Sequence, residues 1–206
     1  MKKIVALMLA VTLTLGLTAC GARTNNETTK DETIKNETVK EDTVKDETEG
    51  KTAVDILNDV WAVYKEDEKF AITGGDYENM VQDAPGTVNV SDGETLDVLL
   101  GFPADRVDLI DDGASMMHMM NQNTFTAGVY HVTNAEDAKT VAEALKENIM
   151  NRQWMCGFPD DLVIYSVGAD YVAVAFGAEE TVDSFEDHLE EVYKSATNLY
   201  DEDLTF

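Results

Sequence analysis

Met116-Met117-His118-Met119-Met120 is the densest group of metal-ligating side chains in the chain. Thioether sulfur and imidazole nitrogen suit soft ions such as Cu(I). Side chains alternate along a β-strand, so Met116, His118 and Met120 would share one face and Met117 and Met119 the other. A three-ligand copper site is therefore open to this stretch. A methionine-packed core strand explains the same residues, because methionine fills irregular apolar gaps, and it is the preferred reading. Gly74-Gly75-Asp76-Tyr77 is the one loop suited to touching a ligand, although a backbone turn also accounts for its glycines. His131 and His188 lie in no Cys/His spacing suited to zinc and read as structural or surface residues. A nucleophilic Cys156 would need a basic neighbour to lower its pKa, and residues 52–206 hold only seven basic side chains. Asp111-Asp112, Asp160-Asp161, Glu179-Glu180 and Glu190-Glu191 are carboxylate pairs of the kind a cell-wall hydrolase uses as acid and base. Such groups face each other roughly 5–10 Å apart in glycosidases. A chain this acidic also supplies such pairs by chance. There is no calcium-loop spacing, no phosphate-cradling glycine loop, no Gly-x-Ser-x-Gly and no His-Glu-x-x-His. No catalytic residue and no cofactor is expected.

The elements that would carry these residues follow from periodicity. Ala53, Ile56, Leu57, Val60 and Tyr64 recur at helical spacing, which predicts a helix over 52–66 with Thr52 as N-cap and Asp55 in its first turn. Residues 70–90 read as loop. Ser91-Asp-Gly-Glu94 reads as a capping box for a short helix to Leu100, ended by Gly101 and Pro103. Val107–Ile110 suggests a short strand. Met116–Asn121 and Phe125–Val132 read as a hairpin. Thr133-Asn-Ala-Glu136 reads as a second capping box, opening a helix to Arg152. Leu162–Val167 and Tyr171–Phe176 read as a second hairpin, and a last helix is expected from Thr181 to Leu199. Two hairpin-plus-helix units and an N-terminal helix predict an α+β domain: one antiparallel sheet with helices packed on one face.

The first 51 residues read differently. Lys2 and Lys3 precede an apolar run from Ile4 to Ala19, the pattern of a secretory signal peptide. The run is short for a membrane span, which takes about 20 apolar residues. Leu17-Thr18-Ala19-Cys20 resembles a lipobox, the recognition site of bacterial lipoproteins. That resemblance implies diacylglycerol on Cys20, cleavage after Ala19 and acylation of the new amino end. Residues 21–51 repeat a five-residue unit, as in Glu32-Thr-Ile-Lys-Asn36 and Glu37-Thr-Val-Lys-Glu41. So polar a segment cannot offset its ordering entropy, and as a flexible coil it would span roughly 30 Å. The expected organisation is a signal peptide over 1–19, a lipidated tether over 20–51 and a globular domain over 52–206. With Cys20 in lipid, Cys156 has no partner for an intramolecular disulfide.

Residues 52–206 carry seven basic and thirty-two acidic side chains, a formal charge of −25. That field repels phosphate backbones and anionic headgroups, so nucleic acid is excluded as a partner. Four stretches together resemble a family of uncharacterised lipoproteins of clostridia-type Gram-positive bacteria, DUF4358. They are Gly74-Gly75-Asp76 through Asp83-Ala-Pro-Gly86, Leu100-Gly-Phe-Pro103, Met116-Met-His-Met-Met-Asn121 and Asn151-Arg-Gln-Trp154. The likeness covers most of 52–177. It implies an envelope lipoprotein and supplies no active site. The sequence thus predicts a monomeric, non-enzymatic binding module on the outer face of the cytoplasmic membrane. The bilayer would hold it through Cys20, and an envelope protein or small ligand would be its partner. Gly21 after Cys20 bears on sorting only in a two-membrane cell.

Overall fold

Asp161-Leu-Val-Ile-Tyr-Ser-Val167 and Tyr171-Val-Ala-Val-Ala-Phe-Gly177 are apolar at nearly every position. Such runs belong to strands covered on both faces, since a strand with one wet face alternates. A computed structural model describes residues 47–155 and 157–204, and there these two segments lie inside an eight-stranded antiparallel sheet. The expected signal peptide, Cys20, most of the expected tether and Cys156 lie outside the described residues.

In chain order the elements are α1 (Ala53–Val63), β1 (Ile72–Gly74), β2 (Val81–Gln82), β3 (Gly86–Thr87), α2 (Gly93–Leu100), β4 (Ile110–His118), β5 (Phe125–Val132), α3 (Ala138–Met150), β6 (Asp161–Val167), β7 (Tyr171–Gly177), α4 (Glu179–Val192) and β8 (Thr197–Asp203). The sheet order is β2-β1-β4-β5-β7-β6-β8, with β3 also on β4. One face is covered by α1 and α4: Ile56, Leu57, Val60, Phe185 and Leu189 pack on Phe125, Val129, Val163 and Ala173. The other is covered by α2 and α3: Leu96, Val141, Leu145 and Ile149 pack on Tyr130, Ile164, Val174 and Phe176.

The α+β class, the antiparallel sheet and the N-terminal helix are as the sequence predicts. Each hairpin is followed by a helix on one face of the sheet, but the two helices take opposite faces. The crossover β5-α3-β6 steps over β7, and β7-α4-β8 steps over β6 in the same direction. β5 and β7 run antiparallel. Crossovers of one hand that leave oppositely directed strands put their helices on opposite faces.

Several boundaries move. Thr52 caps α1 through a full capping box with Asp55, as expected, but the helix ends at Val63. Asp92, not Ser91, caps α2, accepting from Thr95 N–H, and Gly101 (φ 69°) closes it in the left-handed conformation. Residues 107–109 form the end of a 3-10 turn over Ala104–Leu109, and the strand starts only at Ile110. A three-residue repeat places Val107 and Ile110 on one side, so their apolar spacing fits a tight turn as well as a strand. A 3-10 turn over Ala135–Asp137 occupies the second supposed capping box, and α3 ends at Met150. The last helix stops at Val192, and Thr197–Leu199 belong to the edge strand β8. Its acidic sequence hides it, and charge on an exposed edge discourages pairing with other chains. Residues 47–51, read as tether, pack on the domain: Thr48 is buried, and Glu47 accepts from Ser195 N–H (2.9 Å) and Oγ–H (3.0 Å).

Asp161 opens β6 opposite Gly177 and Asp203 and is buried. Burial pushes its pKa up to about 6, with repulsion from Asp201, Asp183 and Asp203 adding to it against the hydrogen bond from Leu162 N–H. The folded state therefore binds a proton more tightly than the unfolded chain, and ionisation destabilises the fold as pH rises from about 4 to about 6. Asp161→Asn is expected to raise stability by about 1–2 kcal/mol at pH 7 and by little at pH 4. Urea denaturation at the two pH values checks this.

Candidate functional site

The methionine run is split by the sheet. Met116 is fully buried on the α1/α4 face and Met117 on the α2/α3 face. His118 ends β4 and stacks on Phe70 with ring centroids 5.4 Å apart. Its Nδ1 accepts from the backbone N–H of Met120 (3.2 Å) and Asn121 (3.3 Å). Met120 lies beyond the strand and is exposed. Strand alternation therefore does not carry Met116, His118 and Met120 onto one face together, and His118 Nδ1 is occupied.

In Gly74–Tyr77 the aspartate is a structural hub. Asp76 is buried and its carboxylate accepts from the backbone N–H of Glu78 (2.9 Å), Asn79 (2.9 Å) and Asn89 (2.6 Å), and from Asn79 Nδ2 (3.1 Å). Burial raises its pKa, but these hydrogen bonds outweigh that and hold it below the usual carboxylate range. A Cβ on Gly74 would lie 2.2 Å from Gly86 N, and Gly75 has φ +82°, so both glycines answer to backbone geometry. Ser115 Oγ–H donates to Gly75 O at 2.7 Å. Only Tyr77 faces outward, over a shallow depression beside Asp92, Thr95 and Val98.

His131 bridges two aspartates, with Nδ1 2.5 Å from Asp111 and Nε2 3.1 Å from Asp170. Burial lowers its pKa, but the hydrogen bonds and charges of both aspartates outweigh this and raise it. Next to it, Asp112 accepts from Ala53 N–H at the start of α1 (2.8 Å). The cluster fastens α1 to the sheet.

A cleft of about 750 Å³ lies between the 65–70 segment and α4, in stretches that carry no recognisable motif. One wall is the turn after α1, where Lys65 pairs with Glu68 (2.9 Å) and Lys69 with Glu66 (3.2 Å). The other wall is α4, which presents Glu180, Asp183, Asp187 and Glu191. Among the described residues no lysine or arginine pairs with any of these four. Like charges three or four apart on a helix cost about 0.2–0.5 kcal/mol per pair, so this row is an uncompensated expense in the free protein. His188, read as structural or surface, sits in this wall with its side chain 8% exposed and its ring 4.3 Å from that of Tyr64. Its Nε2 lies 3.2 Å from Glu68 Oε2, and its Nδ1 has no hydrogen-bond partner. Lys65 and His188 hold Glu68 at a pKa of about 2, the largest contribution being the Lys65 side chain. A carboxyl ionised to that degree is a poor proton donor near neutrality, so Glu68 is unsuited to act as a general acid. The signal for the wall was an acidic i, i+3, i+7, i+11 row on a helix whose other side is apolar.

Two variants test these assignments. Asp76→Ala leaves three backbone N–H groups without their acceptor and is expected to cost about 2–4 kcal/mol in urea denaturation. His131 has a raised pKa, so its ionic contribution is full below its unfolded value of about 6.5 and fades as pH rises through the folded value. The stability gap between wild type and His131→Gln should therefore be largest near about pH 6 and shrink towards about pH 9.

The chain matches no protein-family model, no curated protein and no solved structure.

Proposed function

We propose that this protein is a lipid-anchored, non-enzymatic binding module of the cell envelope, displayed outside the cytoplasmic membrane, whose ligand enters the cleft between the 65–70 segment and α4. The observation that carries the binding role is that cleft: about 750 Å³, within the usual size of small-molecule sites, with a wall on α4 whose four carboxylates pair with no lysine or arginine among the described residues. The anchor is argued from the basic head, the apolar run and Leu17-Thr18-Ala19-Cys20, and the likeness to DUF4358 lipoproteins supports the same address. Among the described residues no helix is long and apolar enough to cross a membrane.

The test uses the full chain in its native cell. Mass spectrometry of protein extracted from membranes should show loss of residues 1–19 and acylated Cys20; an intact Met1 or an unmodified Cys20 overturns the anchor. A photo-crosslinking residue at Asp67, on the cleft rim, should give a discrete adduct with a small molecule or envelope component. The same group at Lys139, on α3 across the sheet, should not. Equal labelling at both sites, or none at either, overturns the cleft as the binding site.

A further inference from the structure

We propose that the cleft takes a linear polyamine, laid along α4 so that successive ammonium groups meet Glu180, Asp183, Asp187 and Glu191. The inference rests on the binding-module reading and specifies the ligand. At about 1.5 Å of rise per residue the row spans roughly 16 Å, so one extended polycation can engage all four carboxylates. The loop lysines do not neutralise the row, because each is tied to a glutamate of its own segment. The methylene stretches between amines would lie against the ring of Phe70, which also lines the cleft.

A second observation within the wall asks for a donor. In the neutral tautomer that gives Nε2–H to Glu68, Nδ1 is an acceptor. That nitrogen is buried, has no hydrogen-bond partner, and faces Glu191 Oε2 at 3.6 Å. Two acceptors thus confront each other with no proton between them. One ammonium group can donate to both. Glu191 is largely exposed and can turn aside as the amine enters.

A metal ion fits the same wall less well. Among the described residues no three His, Cys, Asp or Glu side chains converge on a point where they could hold one. The carboxylates are strung along a helix, and divalent ions need six or more oxygens or four tetrahedral ligands gathered around one centre.

Calorimetric titration of the full-length protein with spermine, at physiological salt, tests the proposal. Spermine should bind, and butylamine, calcium and zinc should not compete for it. Asp183→Asn/Asp187→Asn should weaken spermine at least tenfold. Asp108→Asn/Glu136→Gln, which removes the same charge outside the cleft, should change it less than twofold. The cleft variant loses only repulsion, so its melting temperature should not fall, which separates lost binding from lost folding. Spermine should also shift the Nδ1 resonance of His188 in the wild type and not in the cleft variant. Absence of spermine binding, equal weakening in both double variants, or displacement by calcium or zinc overturns the polyamine assignment. An Asp67 crosslink that persists when spermine fails to bind leaves the binding module standing and removes only the polyamine.

Discussion

The sheet is sealed on both faces, and the rest of the molecule depends on that burial. Central positions such as Val129, Val163, Ile164, Ala173 and Val174 have one per cent or less of their surface exposed. Apolar burial is the main favourable term in folding, and here it must also offset the self-repulsion of a domain at −25. Opposite placement of α3 and α4 is what makes the double seal possible. If both helices lay on one side, Leu162, Ile164, Val172, Val174 and Phe176 would face water.

So many carboxylates with so few cations require other donors, and the structure finds neutral ones. Tyr165 O–H stands between Glu186 and Glu190 on α4, with Asn198 Nδ2 donating to the phenolic oxygen and to Glu186. Tyr193 O–H donates to Asp59 at 2.7 Å, alongside Lys51 Nζ at 2.6 Å. Backbone N–H groups serve Asp76, Asp112 and Asp161 in the same way. A buried tyrosine hydroxyl needs a partner in any case, so each of these contacts satisfies two groups at once. Tyr165 and Tyr193 thus both pack in the core and donate to carboxylates on its acidic rim.

The fold was legible where one rule decided the outcome. Strand β5 was read at its observed limits because Phe125–Val132 is bounded by polar turns, and α1 announced itself by its apolar spacing, with Thr52 as N-cap and Asp55 in the first turn. The reading slipped where two periods coincide, as at Val107–Ile110, or where tertiary partners make an element that local sequence disfavours. Thr197–Asp203 is a strand because its backbone pairs with β6, with Lys146 bound to Glu202 and Leu199 packed against the α2/α3 core. The hairpin-plus-helix pattern suggested helices on one face of the sheet, whereas the continuous apolar runs of β6 and β7 fit two covered faces and the direction of the crossovers assigns a helix to each. The cleft was less legible still. Glu68 and His188 are 120 residues apart, and nothing in the local pattern around either brings them together.

The pattern of compensated charge makes the α4 wall stand out. On the outward face of the same helix, Glu186 and Glu190 share Tyr165 and Asn198; at the foot of the sheet Asp111 and Asp170 share His131. Glu180, Asp183, Asp187 and Glu191 receive no such donor, and the buried His188 Nδ1, 3.6 Å from Glu191, has no hydrogen-bond partner. The fold satisfies those two clusters from within and leaves this row, along one wall of the cleft, without a lysine or arginine partner. Because the four groups are strung out along a helix, the complement they call for is a row of separated positive charges.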